Sequence, residues 1–321
     1  MSRDGLQLAI GLDVASYSGN DAPAFWSKLV SDVGEIAEFI TLEDGFAKPA
    51  RDGLDAIILA NWLAPRSGNL AIIAGAPVSF LEPFHVSTAI ATLDYVSEGK
   101  AGLLVQQFQG ARALDALQAI GSLKGFPDND VSALQDDTRD AVDVIRRLWD
   151  SWEDDAVIRD KQSHRFLDGS KLHYVDFKGP RFNVLGPSIT PRPPQGQPIV
   201  AATHRSAQER SHTSFADVVF LEGENHSVES FEQGKAPLSI ADIPVTYGSV
   251  SEIVERVRTL SGTGIFGIRL ILDDPESQIP SVLEDLVPAL KSASLIRPPL
   301  KGSLRDRFGL TVPTNRYGTA A

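Results

Sequence analysis

Short apolar runs alternate with longer amphipathic stretches along almost the whole chain, and this rhythm restricts the fold more than any single motif does. "LQLAIGL" (6–12), "DAIILA" (55–60) and "LAIIAGAPV" (70–78) have the length and branching of strands. "APAFWSKLVSDVGEIAEFITLEDG" (22–45) repeats apolar residues at helical spacing and stops at Gly45. The pattern continues as helix "PFHVSTAIATLDYVSEG", strand "AGLLVQQF" and an acidic amphipathic helix from about Asp128 to Trp152. Strand "QPIVAAT", a helix from about Ser206, strand "ADVVFLE", strand-like "IPVTYG", helix "SVSEIVERVRTLSG", strand "GIFGIRLIL" and helix "SQIPSVLEDLVPALKSA" complete it. Strands alternating with helices, without hairpin turns, imply a parallel sheet. About eight such units in 321 residues favour a closed (β/α)8 TIM barrel, with an open doubly wound sheet as the alternative. The expected organisation is one barrel domain over 1–321.

Two stretches break the rhythm. Residues 160–195 carry aromatics on alternating segments and a Pro-rich exit, which reads as a hairpin inserted on the barrel rim; residues 222–240 read as a long polar loop, and 295–321 as a C-terminal tail. Trp149 and Trp152 lie three apart on one helical face, a core-facing pair followed by a solvated acidic run, Glu153 to Asp155.

Composition removes several function classes. A formal charge of -12 disfavours nucleic acid and anionic membranes, so an anionic ligand needs a local positive pocket. The absence of cysteine excludes disulfides, thiolate metal sites and cysteine nucleophiles, and suits a reducing cytoplasm. No signal-peptide core opens the chain, and the apolar stretch 70–81 is too short to span a bilayer, so a soluble cytoplasmic protein is expected. The six histidines make no H-x-H or H-E-x-x-H pattern, and no metal site is expected. "GTGIFG" (Gly262, Gly264, Gly267) has the spacing of a dinucleotide fingerprint, but a helix precedes it and a strand follows, the reverse of what that loop requires.

Five blocks carry a resemblance. They are "GLDAIILAN" (53–61), "LEPFHVSTAIATLDYVSEGKAG" (81–102), "LWDSWEDDAVIRDK" (148–161), "FNVLGPSITPRPPQGQPIV" (182–200) and "SLRDRFGLTVPTNRYG" (303–318). In that order they resemble the bacterial luciferase-like monooxygenases, in the nitrilotriacetate and dibenzothiophene-sulfone branch. The resemblance implies a barrel that uses reduced FMN, delivered by a separate flavin reductase, and O2 to oxidise a small organic substrate. It also makes a homodimer the default.

The chain departs from the branch where the cofactor would sit. It looks trimmed after residue 105 and between 221 and 245, and the family's W-N-x-V-T-S on the fourth strand falls on Leu103, Leu104, Val105, Gln106, Gln107 and Phe108. The second strand's Asp falls on Asn61. The phosphate turn Q-A-G-x-S-x-x-G falls on Ala201, Ala202, Thr203, His204, Arg205, Ser206, Ala207 and Gln208, without its glycines. A helix N-terminus still offers free N–H groups there, and Arg205 can add a charge-assisted contact with Thr203 or Ser206. The resemblance therefore implies flavin contacts at Asn61, Ala76, Gln106, Thr203, His204, Arg205 and Ser206. His85 and His204 are the rim histidines to consider as acid or base, or as plain hydrogen-bonding residues. The alternatives are a degenerate barrel serving as partner subunit or ligand-binding protein, and a deazaflavin-dependent oxidoreductase.

Overall fold

The structure, a computed structural model, describes residues 5–17, 19–46, 53–120, 130–205, 213–223 and 237–318. From the N-terminus the elements are β1 (Gln7–Asp13), α1 (Ala22–Val33), β2 (Phe39–Glu43), α2 (Ala56–Leu63), β3 (Ala71–Ala76), α3 (Pro83–Val96), β4 (Ala101–Val105), α4 (Gly110–Ile120) and α5 (Val131–Asp150). Four short strands follow, β5 (Val157–Asp160), β6 (Arg165–Leu167), β7 (Phe177–Lys178) and β8 (Asn183–Val184). The rest are β9 (Ile199–His204), β10 (Val218–Leu221), β11 (Leu238–Pro244), α6 (Val250–Leu260), β12 (Gly267–Leu272), α7 (Pro275–Ser281), α8 (Val287–Ser292) and α9 (Leu304–Arg307).

Eight strands close a barrel in the order β1-β12-β11-β10-β9-β4-β3-β2, every neighbouring pair parallel. Side chains alternate across the barrel wall, as the pleat demands. Phe39, Ile73, Leu104, Ala201, Phe220 and Ile240 fill the inside. The residues next to them, such as Ile40, Ile72, Leu103 and Val200, pack outward against the helices. The rim insertion is two short antiparallel pairs, β5 with β6 and β7 with β8, where the sequence suggested one hairpin.

Three elements differ from the sequence reading. "DAIILA" is not a strand: Asp55 caps Ile58 N–H at 2.8 Å and opens α2. The helix read through to Gly45 stops at Val33, with Gly34 as its cap, and its tail "FITLE" is β2, paired on both sides. The seventh barrel strand is "LSIADIP", and "VTY" after it is a 3-10 turn. Residues 206–212, where a helix was expected, and most of the polar stretch 222–240 lie outside the described residues.

The C-terminal segment closes the bottom of the barrel. Leu304 and Phe308 enter the inner core, Phe308 lying 5.7 Å from the Phe39 ring and 5.6 Å from Phe266. Buried Arg307 reaches Glu38 Oε1 at 3.2 Å, and Arg305 donates to the Gln197 carbonyl at 2.8 Å. Asn315 clamps the carbonyls of Asp150 and Trp152 at 2.9 and 2.8 Å. Both tryptophans are buried and hydrogen-bonded, to Ser87 O and Ser188 O at 3.0 and 2.8 Å. The acidic run beyond them is not merely solvated, since Glu153 bonds His173 at 2.8 Å and Asp154 meets Arg192 at 2.9 Å.

Asp94, at the end of α3, accepts the Gln195 backbone and side-chain N–H groups at 2.9 and 2.6 Å. Burial pushes its carboxyl up to about 6, against the lowering effect of those donors. A folded value above the unfolded one means the contribution is fully present at low pH and is lost as pH rises through about 6. The stability gap between the parent and Asp94→Asn should therefore narrow by on the order of 3 kcal/mol from pH 4 to 7.5. Urea midpoints at both pH values check this, and a gap that widens would contradict it.

Candidate functional site

The C-terminal strand ends face a cavity of about 700 Å³ lined by both signs of charge: Glu43, Glu222, Asp242 and Asp273 against Arg112, Arg205, Arg256 and Arg269. Its floor is Arg269, 1 % exposed, on an inward position of β12. Asp242 on β11 takes its guanidinium through two hydrogen bonds, 2.8 Å from Nε and 2.6 Å from Nη2. Nη1 donates to Thr41 Oγ1 at 2.9 Å, and the guanidinium lies 3.8 Å above the Phe220 ring. Burial raises the Asp242 carboxyl above its ordinary value, and the Arg269 charge offsets only part of that.

A smaller adjoining recess is lined by Glu43, Gln106, Phe108, Arg112, Thr203 and Arg205. Arg112 stands 4.0 Å over the Phe108 ring and donates through Nη2 to the Asp44 carbonyl at 3.1 Å. Its Nε is buried with no hydrogen-bond partner among the described residues. Burial and the neighbouring Arg205 charge both lower its pKa, burial more. Arg205 pairs through Nε with Glu222 Oε2 at 3.1 Å, across the ends of β9 and β10. Gln106 accepts the Asp44 N–H at 2.8 Å through Oε1, covering the space over Gly75.

Of the residues singled out in the sequence, Gln106, Thr203 and Arg205 meet in this recess. The others do not join them. Asn61 lies within α2, its amide donating to Ile57 O and Ala89 O at 2.9 and 3.3 Å, so it ties two helices rather than ending a strand. Ala76 does end β3, but it packs outward with Ile72 and Ala74, and its carbonyl accepts Gln106 N–H at 2.9 Å and Val78 N–H at 3.0 Å. His204 also faces outward, because Thr203 before it faces in; it is 5 % exposed and bonds Thr213 Oγ1. His85 sits exposed in the first turn of α3, edge-on to Phe84, and lines neither cavity. Ser206 lies outside the described residues.

The sequence reading missed Arg112, Glu222, Asp242 and Arg269. Two of these carried a signal: "LSIADIP" and "GIRLIL" each hold one charge inside an otherwise apolar strand. In a strand buried on both faces such a charge needs a partner, and here the neighbouring strand supplies it, Asp242 lying directly opposite Arg269. Arg112 and Glu222 lie beyond strand ends, where pattern says nothing.

A closed parallel barrel with a charged cavity at its C-terminal strand ends defines the class of (β/α)8 barrels that take ligands at that face. The chain belongs to the luciferase-like monooxygenase family, whose profile matches residues 36–236. It is 27% identical over 279 residues to N-acetyl-S-(2-succino)cysteine monooxygenase of Bacillus subtilis (strain 168), covering 76% of this chain and 60% of that one. It is 28% identical over 275 residues to dibenzothiophene-sulfone monooxygenase of Rhodococcus erythropolis, covering 81% and 57%. The chain thus spans less than two thirds of the length of these curated relatives. Among solved structures, a long-chain alkane monooxygenase superposes with a TM-score of 0.79 at 17% identity, covering 96% of each chain. The oxygenating constituent of 3,6-diketocamphane monooxygenase of Pseudomonas putida, in complex with FMN, superposes with a TM-score of 0.62 at 12% identity, covering 92% of this chain and 100% of that one. Among the described residues no helix is long and apolar enough to cross a membrane.

Proposed function

We propose that this chain is the oxygenating component of a two-component monooxygenase, using reduced FMN from a separate reductase and O2 to oxidise a small organic substrate. The observation that carries the reading is the recess where Arg112 and Arg205 stand beside Thr203, with the Arg112 Nε buried and unpartnered. A phosphate supplies the acceptor that this donor lacks, and two guanidiniums offset the charge an acidic chain would otherwise repel. The residues present fit the group. Arg112, Arg205 and Thr203 would hold the phosphate, and Gln106 would offer its amide beside it. Bound reduced FMN would supply the electrons for placing one oxygen atom of O2 in the substrate, the other leaving as water. The chain's own part is to orient and to exclude water: the Arg269–Asp242 pair on Phe220 makes a rigid, buried floor under the cavity.

The relatives' names run from long-chain alkane to nitrilotriacetate monooxygenase, so kinship leaves the substrate open. Titrating purified protein into FMN should quench the flavin's fluorescence with saturation at micromolar protein. Unchanged fluorescence would remove the monooxygenase reading in favour of a catalytically silent barrel. Displacement of FMN by a deazaflavin at lower concentration would favour a deazaflavin enzyme instead. The same sample in sedimentation velocity tests the homodimer implied by family resemblance.

A further inference from the structure

Beside the charged cavity lies a second chamber of about 410 Å³ on the same face of the barrel, within the usual range for small-molecule pockets. Its walls are Val78, Phe80 and Leu81 from the loop after β3, Ile120 ending α4, and Phe182 and Val184 from the β7–β8 hairpin. We propose that this chamber takes a small, uncharged, apolar organic molecule. Resting on the function proposed above, that molecule is the substrate.

Three polar residues of the walls, Ser79, Glu82 and Asp137, already have partners. Ser79 donates to Leu134 O at 3.1 Å and shares a 2.7 Å hydrogen bond with Thr138. The Glu82 carboxylate accepts the His85 N–H at 2.9 Å where α3 begins. Asp137, 1 % exposed, is paired with Arg181 at 3.1 Å. Among the described lining residues there is no lysine or arginine. An anion here would meet two carboxylates and no cation of the wall; for a cation, Asp137 is already paired with Arg181 and Glu82 is a solvent-exposed carboxylate. A neutral apolar molecule alone gains from the burial that these side chains offer.

The chamber abuts the charged recess through one aromatic wall. Phe80 faces the chamber and Phe108 faces the recess under Arg112, with ring centroids 5.8 Å apart; Phe46 completes the wall at 6.5 and 6.4 Å. The arginines are thereby sorted to one side and the larger apolar surface to the other, as a phosphorylated cofactor beside an uncharged substrate requires.

The test uses the full chain without flavin and the neutral probe N-phenyl-1-naphthylamine, whose emission rises in apolar surroundings. Saturable binding is expected, weakened at least tenfold by Leu81→Trp, which fills the chamber from a half-buried position. Asn183→Trp, from an exposed position on the opposite wall, should act likewise if Leu81→Trp folds poorly. The sulfonated analogue 8-anilinonaphthalene-1-sulfonate should bind at least tenfold more weakly than the neutral probe. Absent binding, equal affinity in both tryptophan variants, or a sulfonate or cationic analogue that binds as tightly overturns the proposal. FMN quenching in the same proteins is the independent readout: a parent that binds probe but no FMN loses the flavin assignment while the chamber's ligand class stands.

Discussion

Arg269→Ala should cost about 3 to 5 kcal/mol of stability at neutral pH, because it strands the Asp242 carboxylate inside the barrel without its partner. Arg269 is 1 % exposed and Asp242 4 %, and the Phe220 ring under the guanidinium loses its cation as well. The paired replacement Arg269→Met with Asp242→Leu should cost far less, since a well-packed apolar pair avoids desolvating two charges. Burial already holds the Asp242 pKa above its ordinary value, and with the arginine gone nothing opposes it, so the folded value rises further above the unfolded one. Stability carried by the protonated form is then present at low pH and lost as pH rises, so the single variant's penalty should be smaller at pH 5 than at pH 8. Urea unfolding at both pH values decides the matter, and a penalty below about 1 kcal/mol at pH 8 would show that Asp242 finds other support. Tolerance of the double change would mean that the pair serves the cavity's polarity more than the fold's stability.

The second large effect is expected on flavin affinity. Charge-assisted hydrogen bonds contribute about 1.5 to 3 kcal/mol, so Arg112→Ala and Arg205→Ala should each weaken FMN binding roughly 10- to 100-fold. The two arginines start from different states. Arg112 already has a buried, unpartnered Nε. Arg205 must be released from Glu222, a pair whose side chains are 49% and 53% exposed, so that its loss costs about 1 kcal/mol at most. Glu222→Gln should accordingly tighten FMN severalfold, and that gain should vanish when Arg205→Ala is also present. Fluorescence titration of the parent and the four variants measures this. If Arg205→Ala binds FMN as the parent does, or Glu222→Gln weakens binding, Arg205 does not hold the phosphate.

The barrel is legible because most of its strands and helices announce themselves locally, and "GTGIFG" follows α6 and runs into β12 at Gly267, the order opposite to a dinucleotide loop. What failed was governed by distant partners. "FITLE" follows a helical stretch without an obvious break, and only its register against β1 and β3 makes it a strand. "DAIILA" is apolar enough for a buried strand, but its Asp55 cap and exposed Ile58 belong to a surface helix. At the site, position within the turn located Thr203 and Arg205, whereas the facing direction of His204 depended on strand phase. The Arg205–Glu222 and Arg269–Asp242 pairs join neighbouring strands that are well separated in sequence, a relation no single stretch displays.

The stopper formed by Leu304 and Phe308 makes the barrel's completion an affair of late synthesis. Strand β1 cannot have a sealed interior until the ribosome has released residues some three hundred positions downstream of it, among them Arg307 on Glu38 and Asn315 on the α5 terminus. Until then the lower layer of inward side chains stays open to water. A chain ending before residue 303 would lack both Leu304 and Phe308 from its inner layer.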